Sequence, residues 1–293
     1  MTPPAPTEPA FVLTYGPSGI GKTTDTGYSF PTALFIAVRG ALKSVTSVCG
    51  YAPRWEEAEG IEGITKRIKE MKPGEFNTIV VDDFSFMAEL TFARLEKKNS
   101  GFKLWGALRD VTLDFRNAAR YAKCHVVLNA WEVGPKEKNG QRVRGGPKLP
   151  ADMPEALPAM TDLTLRASQD AMRKPWSGIY RCYLSPDFVM KDRFDVVTRI
   201  DPAPMNLAEI LRTVGYTVER HPDLPWQEDA VEMIATNLNT VAPTLLQSTA
   251  NQHYKNLLEA GVTPNAARWT LRDAVDRAVI RRAVDTRNDN FFV

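Results

Sequence analysis

The sequence predicts an α/β fold in which helices flank a mainly parallel sheet and an all-helical C-terminal appendage follows. Three observations support this prediction. Short apolar runs rich in β-branched residues alternate with segments of helical periodicity in the first part of the chain. Gly16 to Thr23 fits the pattern G-x-x-x-x-G-K-[ST], which joins a strand to a helix. Beyond residue 202 only helical patterns remain, with helices expected at 206–214, 226–239, 248–260 and 264–284.

Composition narrows the class of protein and its surroundings. Of the 293 residues, 43% are hydrophobic and 25% are charged, which is typical of a soluble globular protein. The net charge of +2 means that any contact with nucleic acid must come from a local basic surface. The cysteines are widely separated and show no zinc or disulfide spacing, so we expect a reducing, cytoplasmic environment. No apolar run approaches the ~18 residues of a membrane span, so we expect no membrane contact.

We expect three segments along the chain. Residues 1–9 are rich in proline and lack signal-peptide features, so they are expected to be a disordered lead-in. Residues 10–202 form the α/β core, and residues 203–293 form a helical C-terminal domain. In the last helix, arginines and apolar residues lie mostly on different faces, which favours a solvated, ion-paired face over a second nucleic-acid contact. The tail at 289–293 ends in apolar residues that either dock on a protein partner or fray.

The glycine-rich motif has the residue types of a nucleotide site. An apolar, β-prone stretch at 10–15 precedes it, and a helix is expected from Lys22 towards Tyr28. Its glycines allow successive backbone N–H groups to point at phosphate, and the helix N-terminus adds partial positive charge. We expect Lys22 to reach the β- and γ-phosphates and the Thr23 hydroxyl to ligate Mg²⁺. The expected nucleotide-binding residues are Gly16, Ser18, Gly19, Ile20, Gly21, Lys22, Thr23 and Thr24.

Two carboxylates end a later buried strand. After a strand at 33–38 and a helix that begins near Ile61, the apolar run 78–81 leads to Asp82 and Asp83. A carboxylate at the carboxyl end of a neighbouring parallel strand lies near the Mg²⁺ of the phosphate loop, so Asp82 is expected to hold the ion through water. Asp83 either orients the attacking water or caps the helix that starts near Ser85.

The next strand, 124–129, ends in polar residues. An amide at this edge of the sheet can sense the γ-phosphate and pass its state to the following loop, so Asn129 and Glu132 are candidate catalytic residues. The alternative is that Asn129 only closes a turn.

The loop at 134–148 is the best candidate for nucleic-acid contact. It is rich in glycine and proline, lacks core residues and contains one acidic residue, Glu137. Such a loop can be ordered by a phosphate backbone. The alternative is a solvated β-hairpin with Asn139-Gly140 at its tip, and the two interpretations are compatible. Its cations are Lys136, Lys138, Arg142, Arg144 and Lys148.

The order of these motifs resembles the RecA-like P-loop ATPase core. More narrowly, it resembles the phage-encoded RecA-like ATPases of single-strand annealing and recombination. The resemblance covers roughly residues 10–200. It implies ATP and Mg²⁺ as cofactors, ATP hydrolysis, and a ring or filament of identical subunits in the cytoplasm of a bacterial host. The matching segments are Gly16–Thr23, Val80–Asp83, Leu128–Glu132, Gly146–Pro150 and Met190–Arg193.

The resemblance also implies roles for particular residues. It implies single-stranded DNA contact for the loop at 136–148. A second DNA-facing loop is implied between the predicted helices 84–97 and 105–122, where Lys97, Lys98 and Lys103 accompany two aromatic residues. Lys191 and Arg193 match a Lys-x-Arg pair that reaches the neighbouring subunit's nucleotide, where cations neutralise developing charge. The alternative for this pair is alternating charges on an edge strand.

One departure from the family pattern affects the expected activity. The family usually has a catalytic Glu after the second strand, whereas this chain has Ala37-Val38-Arg39-Gly40 there. Either Asp83 or Glu132 replaces it, or hydrolysis is slow and ATP acts chiefly as an assembly switch. The first hypothesis is therefore an ATP-dependent single-stranded DNA-binding recombination or annealing protein. The second is a nucleotide-dependent assembly switch with a protein partner and no DNA; a small-molecule kinase and a packaging motor fit less well.

Overall fold

A mostly parallel sheet of ten strands lies at the centre of the structure. The computed structural model describes residues 6–138, 140–170, 178–182, 185–195, 197–219 and 228–290. The strands are β1 (Phe11–Gly16), β2 (Leu34–Ala37), β3 (Arg54–Glu56), β4 (Thr78–Asp82), β5 (His125–Val133), β6 (Lys136–Lys138), β7 (Gln141–Val143), β8 (Gly146–Pro147), β9 (Leu163–Gln169), β10 (Gly178–Arg181), β11 (Lys191–Asp192) and β12 (Ala203–Pro204). Their order is β12-β10-β9-β1-β5-β4-β2-β3, β11 pairs with β9, β8 pairs with β5, and β6 with β7 form a separate ribbon.

Parallel pairing brings the predicted site residues to one edge of this sheet. β1 lies between β5 and β9 and is parallel to both, and β4 is parallel to β5. The register sets Asn129 beside Thr14 of β1 and beside Asp82 of β4. Because the carboxyl ends of parallel strands meet at one edge, the end of β4 lies close to the loop that follows Gly16.

Helices cover both faces of the sheet. Alternate side chains of β1 point to opposite faces, so Val12 joins a core with Leu207 and Trp269, while Leu13 joins a core with Ile64 and Phe115. The helices are α1 (Lys22–Ser29), α2 (Ile61–Glu70), α3 (Phe84–Lys98), α4 (Phe102–Arg120), α5 (Met153–Met160), α6 (Leu207–Thr213), α7 (Glu228–Thr240), α8 (Leu246–Glu259) and α9 (Pro264–Asn290).

This architecture confirms the predicted fold class, an α/β core with C-terminal helices. The predicted strands and helices lie within a few residues of those observed. The sequence did not predict β3 or α5. β3 is exposed at the sheet edge, and α5 has Pro158 inside it, so neither shows the usual periodicity. Within the described residues, no helix has the length and apolar character needed to cross a membrane.

The C-terminal helices pack directly on the α/β core. β12 pairs with β10, although the predicted boundary at residue 202 precedes it. The Ser29 hydroxyl of α1 accepts a hydrogen bond of 3.1 Å from the backbone N–H of Ala208 in α6. α7, α8 and part of α9 share a further apolar cluster that includes Ile234 and Ala274. The first five residues and the tail at 291–293 lie outside the described residues. The prediction that the apolar tail docks on a partner or frays therefore falls mostly outside the described part of the chain.

A buried carboxylate in α1 connects four elements. Asp25 is 3% exposed and accepts hydrogen bonds from Tyr180 at 2.7 Å, from the backbone N–H of Leu207 at 3.4 Å and from Arg272 at 2.5 Å. Burial lowers the pKa of Arg272, but the charge of Asp25 and two other aspartates in α9 more than offsets this and raises it. The arginine therefore stays charged inside the protein.

The prediction that the arginines of the last helix form a solvated, ion-paired face is only partly correct. Arg272 and Arg277 are ion-paired, but they are 6% and 7% exposed. Arg277 pairs with Glu209 of α6, so the acceptors for both arginines lie on other elements. Helical periodicity within α9 alone could not reveal those partners.

Replacing Arg272 tests whether this buried pair holds the C-terminal helices on the core. Arg272→Met should lower the free energy of unfolding by about 3–5 kcal/mol, because it leaves the Asp25 charge buried without its cation. Urea unfolding followed by circular dichroism measures the effect. Arg268→Met, on an exposed position of the same helix, is the matched control and should change stability by less than about 0.5 kcal/mol. Equal effects of the two substitutions would contradict this role.

Candidate functional site

The phosphate loop runs from the end of β1 to the start of α1, as the sequence predicts. Gly21 has φ 105°, a conformation that favours glycine, and it immediately precedes Lys22. Gly16 is also required by space, since a Cβ there would lie 2.6 Å from the carbonyl oxygen of Ala167 in β9. Glycine is therefore favoured at position 21 by the backbone conformation and at position 16 by the closeness of β9.

Lys22 folds back onto the loop that contains it. Its Nζ donates hydrogen bonds to the carbonyl oxygens of Gly16 at 2.9 Å and Pro17 at 3.0 Å. The residue is 8% exposed, and burial lowers the pKa of Lys22, while the charges of Asp82 and Asp83 act in the opposite direction. A cation held in this position lies inside the concave turn in which phosphate oxygens would bind.

Asp82 has the features of a metal-side carboxylate. It is 5% exposed at the end of β4, and its Oδ2 is buried without a hydrogen-bond partner. Burial raises the pKa of Asp82, while hydrogen bonding from Thr23, the charge of Lys22 and hydrogen bonding from Asn129 act in the opposite direction. An orphaned oxygen next to a threonine hydroxyl fits Mg²⁺, which prefers oxygen ligands and keeps several waters. The donor set therefore fits the predicted metal.

Asn129 connects the strands beneath the phosphate loop. Its side chain is 1% exposed, its Oδ1 accepts a hydrogen bond of 2.7 Å from Thr14, and its Nδ2 donates one of 3.1 Å to Thr26 of α1. Because it also neighbours Asp82, Asn129 links Asp82 to α1. It is not closing a turn, because β5 continues to Val133.

Asp83 caps α3. Its Oδ1 accepts hydrogen bonds from the backbone N–H groups of Ser85 at 2.9 Å and Phe86 at 3.4 Å. This is the capping alternative of the two that the sequence left open. Burial, followed by the charge of Asp82, raises the pKa of Asp83 to about 6. The carboxylate is therefore close to the metal-side group but engaged with the helix.

Glu132 is also engaged within the chain. It lies beyond Trp131, the partner of Gly16 in the register, and its carboxylate accepts hydrogen bonds of 2.6 Å and 3.1 Å from Arg166 of β9. The Arg166 guanidinium lies 3.8 Å from the ring centroid of Phe188. This pair spans β1 next to the phosphate loop, so Glu132 is near the site but already ion-paired.

Lys191 and Arg193 lie at the other edge of the sheet. Lys191 pairs in register with Thr164, near the start of β9, and its Nζ donates to the carbonyl of Ala159 at 2.7 Å. Arg193 forms an ion pair of 3.0 Å with Asp162. These residues therefore lie at the sheet edge opposite their own chain's phosphate loop.

The basic loop after β5 forms the hairpin that the sequence offered as one alternative. β6 and β7 pair antiparallel, with Lys136 opposite Val143 and Lys138 opposite Gln141. Arg142 pairs with Asp187, and Arg144 donates to the backbone carbonyl of Phe188 at 2.7 Å. Lys148 pairs with Glu89 of α3 at 2.8 Å, whereas Lys136 is exposed. Asn139 and the side chain of Lys138 lie outside the described part.

The second predicted basic loop is shorter than expected. Lys97 and Lys98 belong to α3, and α4 begins at Phe102 rather than at residue 105, so only 99–101 connect the helices. Phe102 is 96% exposed, and Trp105 is 49% exposed with its ring 5.9 Å from that of Phe92. The corner therefore presents aromatic rings next to lysines, although its backbone is mostly helical.

Several residues around the site were not predicted from the sequence. Asp25 and Arg272 form the buried pair behind the phosphate loop, and Met205 lies close to Gly21. Asp25 could have been identified, because a charged residue in the first turns of an otherwise buried helix indicates a buried partner. Nothing in the local pattern marks Met205 or the Glu132 partner Arg166, since their positions follow from sheet pairing.

Comparisons with known proteins give one family match. A family described as AAA domain, AAA_24, matches residues 8–194. A search of curated proteins gave no significant match. The crystal structure of the RadB recombinase is similar at 18% identity and a TM-score of 0.39, over 62% of this chain and 86% of that one. A KaiC-like protein from the hyperthermophilic archaeon Pyrococcus horikoshii OT3 is similar at 13% identity and a TM-score of 0.37, over 59% and 78%.

Lys22 provides a direct test of the site. Lys22→Ala should weaken ATP binding by at least ~1.5–3 kcal/mol, which is tenfold or more, because a charged hydrogen-bond donor to phosphate is lost. Isothermal titration calorimetry with Mg²⁺ and ATP measures the affinity, and circular dichroism checks the fold. Lys43→Ala, at an exposed position, is the control. Unchanged ATP affinity in Lys22→Ala would contradict the assignment.

Proposed function

The chain belongs to the AAA-domain family of P-loop NTPases, and we propose that it binds ATP with Mg²⁺. We further propose that ATP binding drives its assembly on single-stranded DNA. The family match and the sheet order confirm the RecA-like P-loop ATPase identification. The proposed activity is that of a phage-type recombination or annealing protein acting as a ring or filament.

One observation carries the nucleotide part of the proposal. Lys22 and Thr23 begin α1 at the end of the phosphate loop, and Asp82 has a buried oxygen without a hydrogen-bond partner beside them. Bound phosphates would take over the Nζ of Lys22 from the carbonyls of Gly16 and Pro17. Thr23 and Asp82 would hold Mg²⁺, which neutralises charge on the phosphate oxygens. Asn129 fixes Asp82 and α1 relative to each other.

We propose that hydrolysis is slow. A fast ATPase needs a group that is free to orient the attacking water, and the family usually uses a carboxylate. Asp83 accepts hydrogen bonds from the backbone of α3, and Glu132 is ion-paired with Arg166. Either group must first leave its partner, which adds a step before the chemistry. ATP binding would then control assembly, and hydrolysis would reset it.

The DNA part of the proposal rests on two surfaces. The β6–β7 hairpin carries Lys136 and Arg142, and the α3–α4 corner carries Phe102 and Trp105 with nearby lysines. The ion pair between Lys148 and Glu89 connects the base of the hairpin to α3. Cations contact the phosphate backbone, and exposed aromatic rings provide stacking surfaces for bases. The cations proposed to contact DNA are Lys97, Lys98, Lys103, Lys136, Lys138, Arg142, Arg144 and Lys148.

The proposed oligomer places Lys191 and Arg193 on a neighbour's nucleotide. Both lie at the sheet edge opposite their own phosphate loop, which is the geometry that a head-to-tail arrangement would use. Their bonds to Ala159 and Asp162 would have to be exchanged for phosphate oxygens on assembly. Nucleotide would then bind at a subunit boundary and stabilise the ring or filament.

The assembly switch without DNA remains the second candidate, and one observation favours it. Arg142, Arg144 and Lys148 already have partners within the chain, in Asp187, Phe188 and Glu89. If these cations serve only to fix the hairpin, the surface offered to a phosphate backbone is smaller. The two candidates differ in the salt dependence of DNA binding.

Neutralising the hairpin separates the two candidates. Lys136→Ala with Arg142→Ala should weaken single-stranded DNA binding and reduce the slope of log K against log salt by about 1.4, since each lost phosphate contact contributes ~0.7. Fluorescence anisotropy across a salt series, with ATP and Mg²⁺, measures this slope. Lys123→Ala with Lys255→Ala removes two exposed lysines elsewhere as the control. An unchanged slope, or no DNA binding by the unaltered protein, would favour the switch.

The aromatic corner provides an independent test of DNA contact. Phe102→Ala should weaken single-stranded DNA binding by about 1–3 kcal/mol, because a base loses its stacking partner, while leaving the salt slope unchanged. The side chain is 96% exposed, so the fold should not depend on it. Tyr121→Ala, on a ring that is 76% exposed at the other end of α4, is the control. Equal effects of the two substitutions on anisotropy would argue against stacking at the corner.

A further inference from the structure

A cleft of about 320 Å³ adjoins the phosphate loop on the side of α1 that faces the C-terminal helices. Ile20, Gly21 and Thr24 of the loop and α1 form one side of it, and Met205 and Arg272 form another. The family match ends at residue 194, so the second side comes from a part of the chain that this match does not cover. Its volume lies in the range of small-ligand sites.

We propose that this cleft binds the nucleoside of the nucleotide, so that the C-terminal helices complete the site. The inference rests on the proposed nucleotide function and adds the half of the ligand that the phosphate loop does not bind. It also assigns a role to α9, whose contribution the sequence left open.

The position of the cleft supports a nucleoside as the occupant. Ile20 and Gly21 of the loop and Thr24 of α1 border it, while Lys22 and Thr23 are the groups expected to hold phosphate. A ligand whose phosphates lie on that loop extends away from it through its sugar and base. The cleft begins where the phosphate-binding groups end, so the rest of such a ligand has a place directly next to them.

The lining has the chemistry that a base and a ribose need. Ile20, Val48 and Met205 offer apolar contact, and Tyr28 adds an aromatic ring. The carboxylate of Asp276, which accepts a hydrogen bond of 3.2 Å from Asn206, also lines the cleft and can accept from a sugar hydroxyl. A mostly apolar wall with a few polar groups is the usual composition of a small-molecule site.

The wall formed by the C-terminal region is held by contacts within the chain. Arg272 donates to the carbonyl of Met205 at 2.6 Å and to Asp25 at 2.5 Å, and its guanidinium lies 4.7 Å from the ring centroid of Tyr28. A Cβ on Gly178 would lie 3.1 Å from the sulfur of Met205, so this side chain is also held against β10. Such a wall costs little ordering when a ligand enters.

Val48 allows the cleft to be blocked without disturbing the core. It lines the cleft but is 49% exposed, so a larger side chain can be accommodated there while the protein folds. The test is calorimetry on the full chain, which compares the affinity for Mg²⁺–ATP with the affinity for Mg²⁺–tripolyphosphate. Tripolyphosphate is a probe that has the phosphates and no nucleoside. Val48→Trp should reduce ATP affinity on the order of tenfold and leave tripolyphosphate affinity unchanged. Met233→Trp, 62% exposed on α7, is the matched control.

The outcomes separate this inference from the proposed function. If Val48→Trp leaves the ratio of ATP to tripolyphosphate affinity as it is in the unaltered protein, the nucleoside binds elsewhere and the inference is overturned. If the unaltered protein binds neither ligand, or Lys22→Ala binds both normally, the proposed nucleotide site itself fails. As a second readout, 8-azido-ATP activated by light should label the segments around Tyr28, Val48 or Met205. Labelling confined to other segments would also overturn the inference.

Discussion

The buried carboxylate of Asp25 is the interaction on which the arrangement of the site depends. A charge 3% exposed is tolerable only when donors surround it, and these come from β10, α6 and α9. The helix that follows the phosphate loop is thereby attached to elements more than 150 residues later in the chain. Moving α9 would leave an unpaired charge directly behind Lys22, so the loop and the C-terminal helices behave as one body.

The second constraint is the parallel register of the central strands. It places Thr14, Asn129 and Asp82 side by side without any local sequence signal connecting them. Asn129 then has its amide oxygen and nitrogen satisfied on β1 and α1, which fixes the depth of Asp82 beneath the loop. These polar side chains cross three strands and reach α1. They leave one buried oxygen of Asp82 without a hydrogen-bond partner, where it could contact a metal.

How much the sequence could reveal differs between kinds of feature. The core strands, the phosphate loop and Asp82 were predictable, because apolar runs and a fixed glycine pattern report local structure. The engagement of Glu132 by Arg166 was not, since a partner on another strand is set by pairing that no single segment encodes. The burial of Arg272 was also missed, because its acceptor is in α1, far away in sequence. The α3–α4 corner was misjudged by a few residues, which is the usual uncertainty of helix ends.

The hydrogen bonds that Lys22 makes within the phosphate loop carry a consequence for selectivity. The carbonyls of Gly16 and Pro17 act as internal competitors, since they accept the same N–H groups of Lys22 that phosphate oxygens would accept. Binding is therefore an exchange, in which an incoming group gains only the difference between its own bonds and those two. A small monovalent anion offers too little to win that exchange. A polyphosphate would offer several charged oxygens at once, so the exchange at Lys22 would favour it over the common small anions of the cell.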